Sequence, residues 1–171
     1  MQKEYIETER LILRKFRKDD ASKMFDNWAN DPEVTKYMTW DAHPNVKVTK
    51  MIIDNWLEEY KKETTARYCI TIKGSDEPLG SIDIVNIFDG VPEVGYCISK
   101  KYWNKGYMTE ACKAFVHYLF ELGYPKVCIC AFKENIASNR VIQKCGLKFI
   151  KEFKMDVKNT IVDVNCYMMD K

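Results

Sequence analysis

This sequence predicts a mixed α/β fold: a largely antiparallel central sheet of about seven strands flanked by about four helices. Three observations carry that prediction. Runs with strand and helix periodicity follow one another in the order β-α-α-β-β-β-α-β-α-β-β, with short turns between several successive strands. Residues 127–132 are nearly all apolar, the composition of a strand in the middle of a sheet. Residues 94–98 are strand-like and lead, through a turn holding Gly106, into a helical run that continues to about Leu122.

From the N-terminus, Arg10-Leu11-Ile12-Leu13-Arg14-Lys15-Phe16 reads as the first strand. Asp19 and Asp20 offer an N-cap for a helix to about Trp28, and a broken helical stretch follows from Pro32. Val48, Met51, Ile52, Trp56 and Tyr60 recur at helical spacing and give a second amphipathic helix. Strand candidates follow at residues 68–73, 79–87 and 93–99, separated by turns at 74–78 and at Asp89 and Gly90. In the helix after Gly106, the side chains of Met108, Ala111, Cys112, Phe115, Leu119 and Leu122 share one face, and Gly123 stops it. Residues 135–145 form a helix ended by Gly146. Strands at 147–157 and 161–169, joined by a turn at Lys158 and Asn159, close the chain. In the last of them Val162, Val164, Cys166 and Met168 alternate with Asp163, Asn165 and Tyr167, so one face is expected to be buried. No repeat or linker divides the chain, and residues 1–171 are expected to form a single domain.

Composition excludes several classes. A net charge of +2, with lysines scattered rather than clustered, gives no nucleic-acid footprint. With 46% apolar and 30% charged residues and little Gly or Pro, disorder is not expected. No apolar run approaches membrane-spanning length and Met1-Gln2-Lys3-Glu4-Tyr5 has no signal-peptide core, so neither a membrane nor export is expected and the cytoplasm is. The seven cysteines (Cys69, Cys97, Cys112, Cys128, Cys130, Cys145 and Cys166) are odd in number and lack C-x-x-C spacing. Buried free thiols are expected, not disulfides or a zinc site. His43 and His117 are the only imidazoles, and no metal is expected.

The turn at Gly106 is the candidate for chemistry. Unpaired N–H groups at a helix N-terminus, together with the helix dipole, favour a phosphate there. Gly106 stands alone, so the dinucleotide pattern G-x-G-x-x-G is absent, and so is the Walker A pattern. Two readings remain from the residues: Gly106 merely eases a turn, or its turn holds a phosphate compound.

Three segments, in order, resemble the GNAT superfamily of N-acetyltransferases and its RimJ/RimL-type branch. Ile6-Glu7-Thr8-Glu9-Arg10-Leu11-Ile12-Leu13-Arg14 is similar to that branch's opening strand. Glu93-Val94-Gly95-Tyr96 with Tyr102-Trp103-Asn104-Lys105-Gly106-Tyr107-Met108-Thr109-Glu110-Ala111 is similar to its acetyl-CoA motif. Asn135-Ile136-Ala137-Ser138-Asn139-Arg140-Val141-Ile142-Gln143-Lys144-Cys145-Gly146-Leu147 is similar to the segment carrying its second cofactor contact. The resemblance implies acetyl-CoA as cofactor and CoA as product. It implies that Trp103, Asn104, Lys105, Gly106, Tyr107 and Met108 wrap the pyrophosphate through backbone amides, departing from the family pattern Q/R-x-x-G-x-G/A at Trp103 and Met108. Asn104 also replaces a glycine common in the branch. Cys97 and Ile98 would lie beside the pantetheine arm, Asn135 and Asn139 would contact it, and Lys105, Arg140 or Lys144 would meet the 3′-phosphate or else be solvated surface charges. Met108 shares a helix face with Ala111 and Cys112, which places it behind the loop.

Acetyl transfer to an amine requires a neutral nucleophile, a polarised carbonyl and a route for the thiolate to leave. Glu93, at the start of the strand leading to the loop, is the base candidate, or else a surface carboxylate after a turn; Asp83, Glu134 and Asp163 are alternatives. The resemblance puts Ile142 where many members carry a tyrosine acid, and Ser138 where the branch often has a serine facing the sulfur; capping is Ser138's other reading. A backbone N–H near Ile98 would polarise the carbonyl. Trp28, Tyr37, Trp40, Trp56 and Tyr167 are either core or the lining of an amine slot.

The expected reaction is direct attack, in a ternary complex, by a protein N-terminal α-amine of the ribosomal-protein type. A small amine (polyamine, amino acid or drug) is the second acceptor class. A non-catalytic CoA-binding sensor is the reading from another class, motivated by Trp103, Met108 and Ile142. Monomer and homodimer are both open.

Overall fold

The protein, described as a computed structural model over residues 3–62 and 64–171, is built on one sheet of eight strands. Met1 and Gln2, part of the N-terminal segment read above, lie outside the described residues. In chain order the strands are β1 (Tyr5–Glu7), β2 (Leu11–Arg14), β3 (Arg67–Ile72), β4 (Gly80–Phe88), β5 (Val91–Ile98), β6 (Lys126–Phe132), β7 (Lys148–Val157) and β8 (Thr160–Asp170). They lie in the order β1-β2-β3-β4-β5-β6-β8-β7, and every neighbouring pair is antiparallel except β5 and β6. The helices are α1 (Asp20–Met24), α2 (Pro32–Thr35), α3 (Val46–Glu59), α4 (Tyr107–Glu121) and α5 (Ile136–Lys144).

The expected class holds, and the strand and helix counts rise by one each among the described residues. The extra strand is β1, which hairpins with β2 through residues 8–10. Three residues are too few to show a period, so pairing rather than pattern defines it. The first helix is also shorter than expected. It ends at Met24 and continues as a π-helical turn, Phe25–Ala29, in which Asn30 N–H donates to the Phe25 carbonyl. Nor do the acids before it cap it. Asp19 makes no side-chain cap, and Asp20 instead takes the guanidinium of Arg14 at 2.8 and 2.9 Å and the Arg17 N–H at 2.7 Å. Arg14 and Asp20 are both buried, and a buried arginine needs its charge matched. Caps elsewhere follow the rules: Asp31 caps α2 and Asn45 caps α3.

Alternation along the strands separates two cores. On one face, α4 and α5 pack with Leu11, Leu13, Tyr68, Ile70, Val94 and Ile129. On the other, α1, the π-turn and α3 pack around Trp28 and Ile53 with Cys69 and Cys97. Each strand thus sends successive side chains to opposite layers. The last strand departs from the one-faced expectation. Val164 and Cys166 are buried as expected, but so is Tyr167 on the other face, because β8 lies between β6 and β7 rather than at an edge.

The β1–β2 turn is fastened to the start of α4 by one carboxylate. Glu110 accepts from the Thr8 hydroxyl (2.6 Å), the Arg10 N–H (2.8 Å) and the Arg10 guanidinium (2.7 Å). Arg10 also donates to the Lys105 carbonyl (3.0 Å) and lies over the Tyr107 ring, 4.5 Å from its centre. Burial alone would raise the Glu110 pKa; the three donors outweigh it and hold the carboxyl below its ordinary value. A depressed carboxyl stabilises the fold above its unfolded pKa and loses that contribution as pH falls through the folded value. Glu110→Gln is therefore expected to lower Tm at pH 7 by about 3–5 °C, with the gap to the parent narrowing below about pH 4.5. Calorimetric scans from pH 3 to 8 check this; a gap independent of pH would sink the electrostatic account.

Candidate active site

Strands β5 and β6 share a single register pair, Glu93 with Cys128, and part beyond it. The divergence opens the sheet toward the C-terminal ends of both strands. Behind it, β4 carries a bulge at Val85. A Cβ on Gly95 would lie 2.5 Å from a Val85 methyl, so the bulged side chain occupies the space that only glycine leaves.

The turn between β5 and α4 lies beside this opening. Its sequence departures acquire structural reasons. Asn104 has φ +59°, a left-handed conformation that asparagine tolerates better than other side chains, so it stands in for glycine there. Gly106 follows with φ +77° as the N-cap residue of α4. Trp103 donates its indole N–H to the Ile98 carbonyl at 2.9 Å, tying the turn to the end of β5. Met108 is buried in the core with Ala111 and Cys112, behind the turn as expected. The first intrahelical bond of α4 runs from Glu110 N–H to the Gly106 carbonyl, which leaves the N–H groups of Tyr107, Met108 and Thr109 outside the helix ladder. Those amides fit an anionic pyrophosphate, and the split fits an extended arm. Lys105 is exposed beside the turn, and Arg140 is exposed on α5.

A cleft of about 450 Å³ runs through the split to the face of α1–α3. Its far wall holds Tyr37, Trp40, His43 and Trp56, with Phe153 and Met155 from β7 opposite. The hairpin β7–β8 closes over it: Lys158 donates to the Thr35 carbonyl and pairs with Asp41 at 3.0 Å. Trp28 and Tyr167, two of the five aromatics read from sequence, belong to the core; Tyr37, Trp40 and Trp56 are only partly buried. A larger, open depression of about 630 Å³ near Arg14, Arg17 and Asp76 contains groups already paired with one another.

Glu93 lines the cleft, and alternation along β5 puts its side chain on the α1–α3 face with Cys97. Burial raises its pKa above the ordinary carboxylate value, and the neighbouring Cys130 thiol opposes part of that rise. Cys130 in turn lies opposite Cys166 across the β6–β8 ladder, with sulfurs 2.9 Å apart. Of the other acids, Asp83 lines the cleft but is ion-paired with Arg67 at 2.9 Å, Asp163 pairs with Lys154 at 2.8 Å, and Glu134 is exposed. All seven cysteines are free thiols.

Across the sheet, Tyr96 faces the α4–α5 layer. Its phenol is 2.9 Å from the Ser138 hydroxyl and also within reach of the Ser138 carbonyl at 3.3 Å. Burial pushes the phenol pKa well up, which keeps it protonated. Nothing in the sequence gives Tyr96 a role; the position where many family members carry a tyrosine is Ile142, which is fully buried in the core. The helix of Ser138 is fixed by two asparagines. Asn135 accepts the Ser138 N–H. Asn139, buried, donates to the Phe132 and Asn135 carbonyls and accepts from Tyr167 (2.7 Å) and Asn165 (3.0 Å). Its amide is spent on the protein, so its side chain positions the site rather than reaching into it. Also missed were Thr8, Arg10 and Glu110, about 100 residues apart in sequence and without a local signal.

No helix among the described residues is long and apolar enough to cross a membrane, and no group of His, Cys, Asp or Glu among them is arranged to hold a metal ion. A family model for the acetyltransferase (GNAT) domain matches residues 10–148. The uncharacterized N-acetyltransferase p20 of Bacillus licheniformis is 29% identical over 175 residues, covering 98% of this chain and 97% of its own. A GNAT-family acetyltransferase from Bacillus anthracis superposes with a TM-score of 0.86 at 25% identity, covering 97% and 98% of the two chains. RimL, the ribosomal L7/L12 α-N-protein acetyltransferase solved in complex with coenzyme A, shares the fold at TM-score 0.86 and 16% identity, over 98% of each chain. Split sheet, glycine turn and family match agree: this chain belongs to the GNAT family of N-acetyltransferases.

Proposed function

We propose that this protein, acting as a single domain in the cytoplasm, transfers an acetyl group from acetyl-CoA to a protein N-terminal α-amine, as a RimJ/RimL-type enzyme. The observation that carries the reading is the disposition of two groups about the parted strands. Glu93 faces the cleft on one side of the sheet, and the Tyr96–Ser138 hydroxyl pair faces the α4–α5 layer on the other. Seven free thiols support a reducing compartment.

Bound acetyl-CoA supplies an acetyl group activated as a thioester. The amides at the start of α4 hold the pyrophosphate, and the edges of β5 along Cys97 and Ile98 orient the arm. Glu93 accepts the proton of the incoming amine. An α-amine with a pKa near 8 needs less from such a base than a lysine near 10.4, which favours the N-terminal acceptor. Ser138, polarised by Tyr96, donates toward the departing sulfur. A second reading, a small amine as acceptor, is favoured by the cleft's volume of about 450 Å³, which lies within the range of small-molecule sites. The sensor reading loses its motive, since Asn104, Met108 and Trp103 have structural roles and Tyr96 offers the hydroxyl that Ile142 lacks.

Calorimetric titration with acetyl-CoA should give saturable binding; none at millimolar concentration would overturn the reading. In a thiol-release assay, Glu93→Gln is expected to lower kcat about 10²–10⁴-fold and to remove the acidic limb of the kcat/KM profile, a limb lying above the ordinary carboxylate range. An unshifted limb in Glu93→Gln would exclude it as the base. Tyr96→Phe and Ser138→Ala should each slow kcat about tenfold or more while the double variant falls little further, as expected for two members of one relay. Full additivity of the two losses would separate them.

A further inference from the structure

The acceptor side of the cleft has a composition that selects among amines. Asp83 and Glu93 bring carboxylates to its lining, and none of the described residues lining it is Lys or Arg. The cations around it stand behind its lining: Arg67 pairs with Asp83 and Glu59 and lies over the Trp56 ring, 4.6 Å from its centre, while Lys36 lies over the Tyr37 ring at 5.0 Å and Lys151 over the Phe153 ring at 5.6 Å. His43 adds no charge at neutral pH, because burial lowers its pKa and its Nδ1 is engaged with Thr49 Oγ1 at 2.8 Å. Beside these the acceptor side is lined chiefly by aromatic and thioether groups: Tyr37, Met38 and Trp40, with Phe153 and Met155 opposite. Trp40 and His43 stand ring to ring at 5.5 Å, and Tyr37 meets Phe132 edge-on at 6.2 Å.

Such a wall welcomes a cation and an apolar body together. Aromatic faces attract an ammonium and bury a flat hydrocarbon, while an anion meets the Glu93 carboxylate and no cation in the lining, the Arg67 charge being already matched by Asp83. From this we infer that the acceptor is a primary amine attached to an aromatic or bulky apolar group and free of any carboxylate or phosphate near the amine. The inference rests on the transfer reading above and deepens it. A free amine of this kind and a peptide N-terminus with an aromatic first residue share the chemistry. Free amino acids, acidic N-termini and polyamines without an apolar body do not.

The test compares kcat/KM at saturating acetyl-CoA for phenylethylamine, phenylalanine amide, phenylalanine, glycine amide and spermidine, with peptides starting Phe-Gly-Gly and Glu-Gly-Gly. Phenylethylamine and phenylalanine amide should each exceed phenylalanine, glycine amide and spermidine at least tenfold, and the Phe peptide should exceed the Glu peptide by as much. Comparable rates for Phe-Gly-Gly and phenylethylamine point to a peptide acceptor; a phenylethylamine rate tenfold higher points to a free amine. Trp40→Ala should bring the phenylethylamine to glycine amide ratio toward one, and Trp40→Phe should keep it high. Phenylalanine used as well as its amide, or spermidine outrunning the aromatic amines, overturns the inference while leaving acetyl transfer intact. No thiol release with any acceptor, in protein that binds acetyl-CoA by calorimetry, sinks the transfer reading and this inference with it.

Discussion

Two adjacent strands that agree for one residue pair and then part impose the constraint on which this structure depends. A continuous sheet would seal one layer from the other. With β5 and β6 paired only at Glu93 and Cys128, the backbone of β5 beyond that point has no strand on its β6 side. Leaving edge groups unpaired in the middle of a sheet is costly, since buried backbone groups require partners. The fold compensates around the gap. The bulge at Val85 fits against Gly95, the Trp103 indole covers the Ile98 carbonyl, and Asn139 bridges four groups on β6, α5 and β8.

The two-layer alternation then assigns chemistry by parity. Residues 93, 95 and 97 look toward α1–α3, and residues 94, 96 and 98 toward α4 and α5. The Glu93 carboxylate and the Tyr96 phenol are therefore presented on opposite faces of the sheet although three positions apart in sequence.

How far the sequence carried this differs by residue. Helices α3, α4 and α5 and strands β3 to β8 follow from periodicity, because each is long enough to display a stripe or an alternation. Strand β1 is three residues long and owes its conformation to β2. The turn of residues 103–108 was legible from Gly106 as a strand-to-helix turn, yet the fitness of Asn104 depended on a dihedral angle that no composition reveals. Glu93 was legible as a carboxylate at a strand start; its neighbours Cys130 and Cys166 arrive from strands 37 or more residues away. The Glu110 clamp was invisible because its three donors come from the other end of the domain core. Asp20 misled, since an acid before a helix usually caps it, and here a buried arginine outbid the helix for the same oxygens.

The left-handed pair at Asn104 and Gly106 has a wider consequence. What the turn must preserve is a backbone path, and any residue able to follow that path satisfies it. The side chains around it are thereby released for other duties, a tryptophan bracing the strand before and a methionine filling the core behind. A consensus written in letters scores such a loop as degenerate. Asn104, at φ +59°, meets the torsion angle that the position demands without being a glycine.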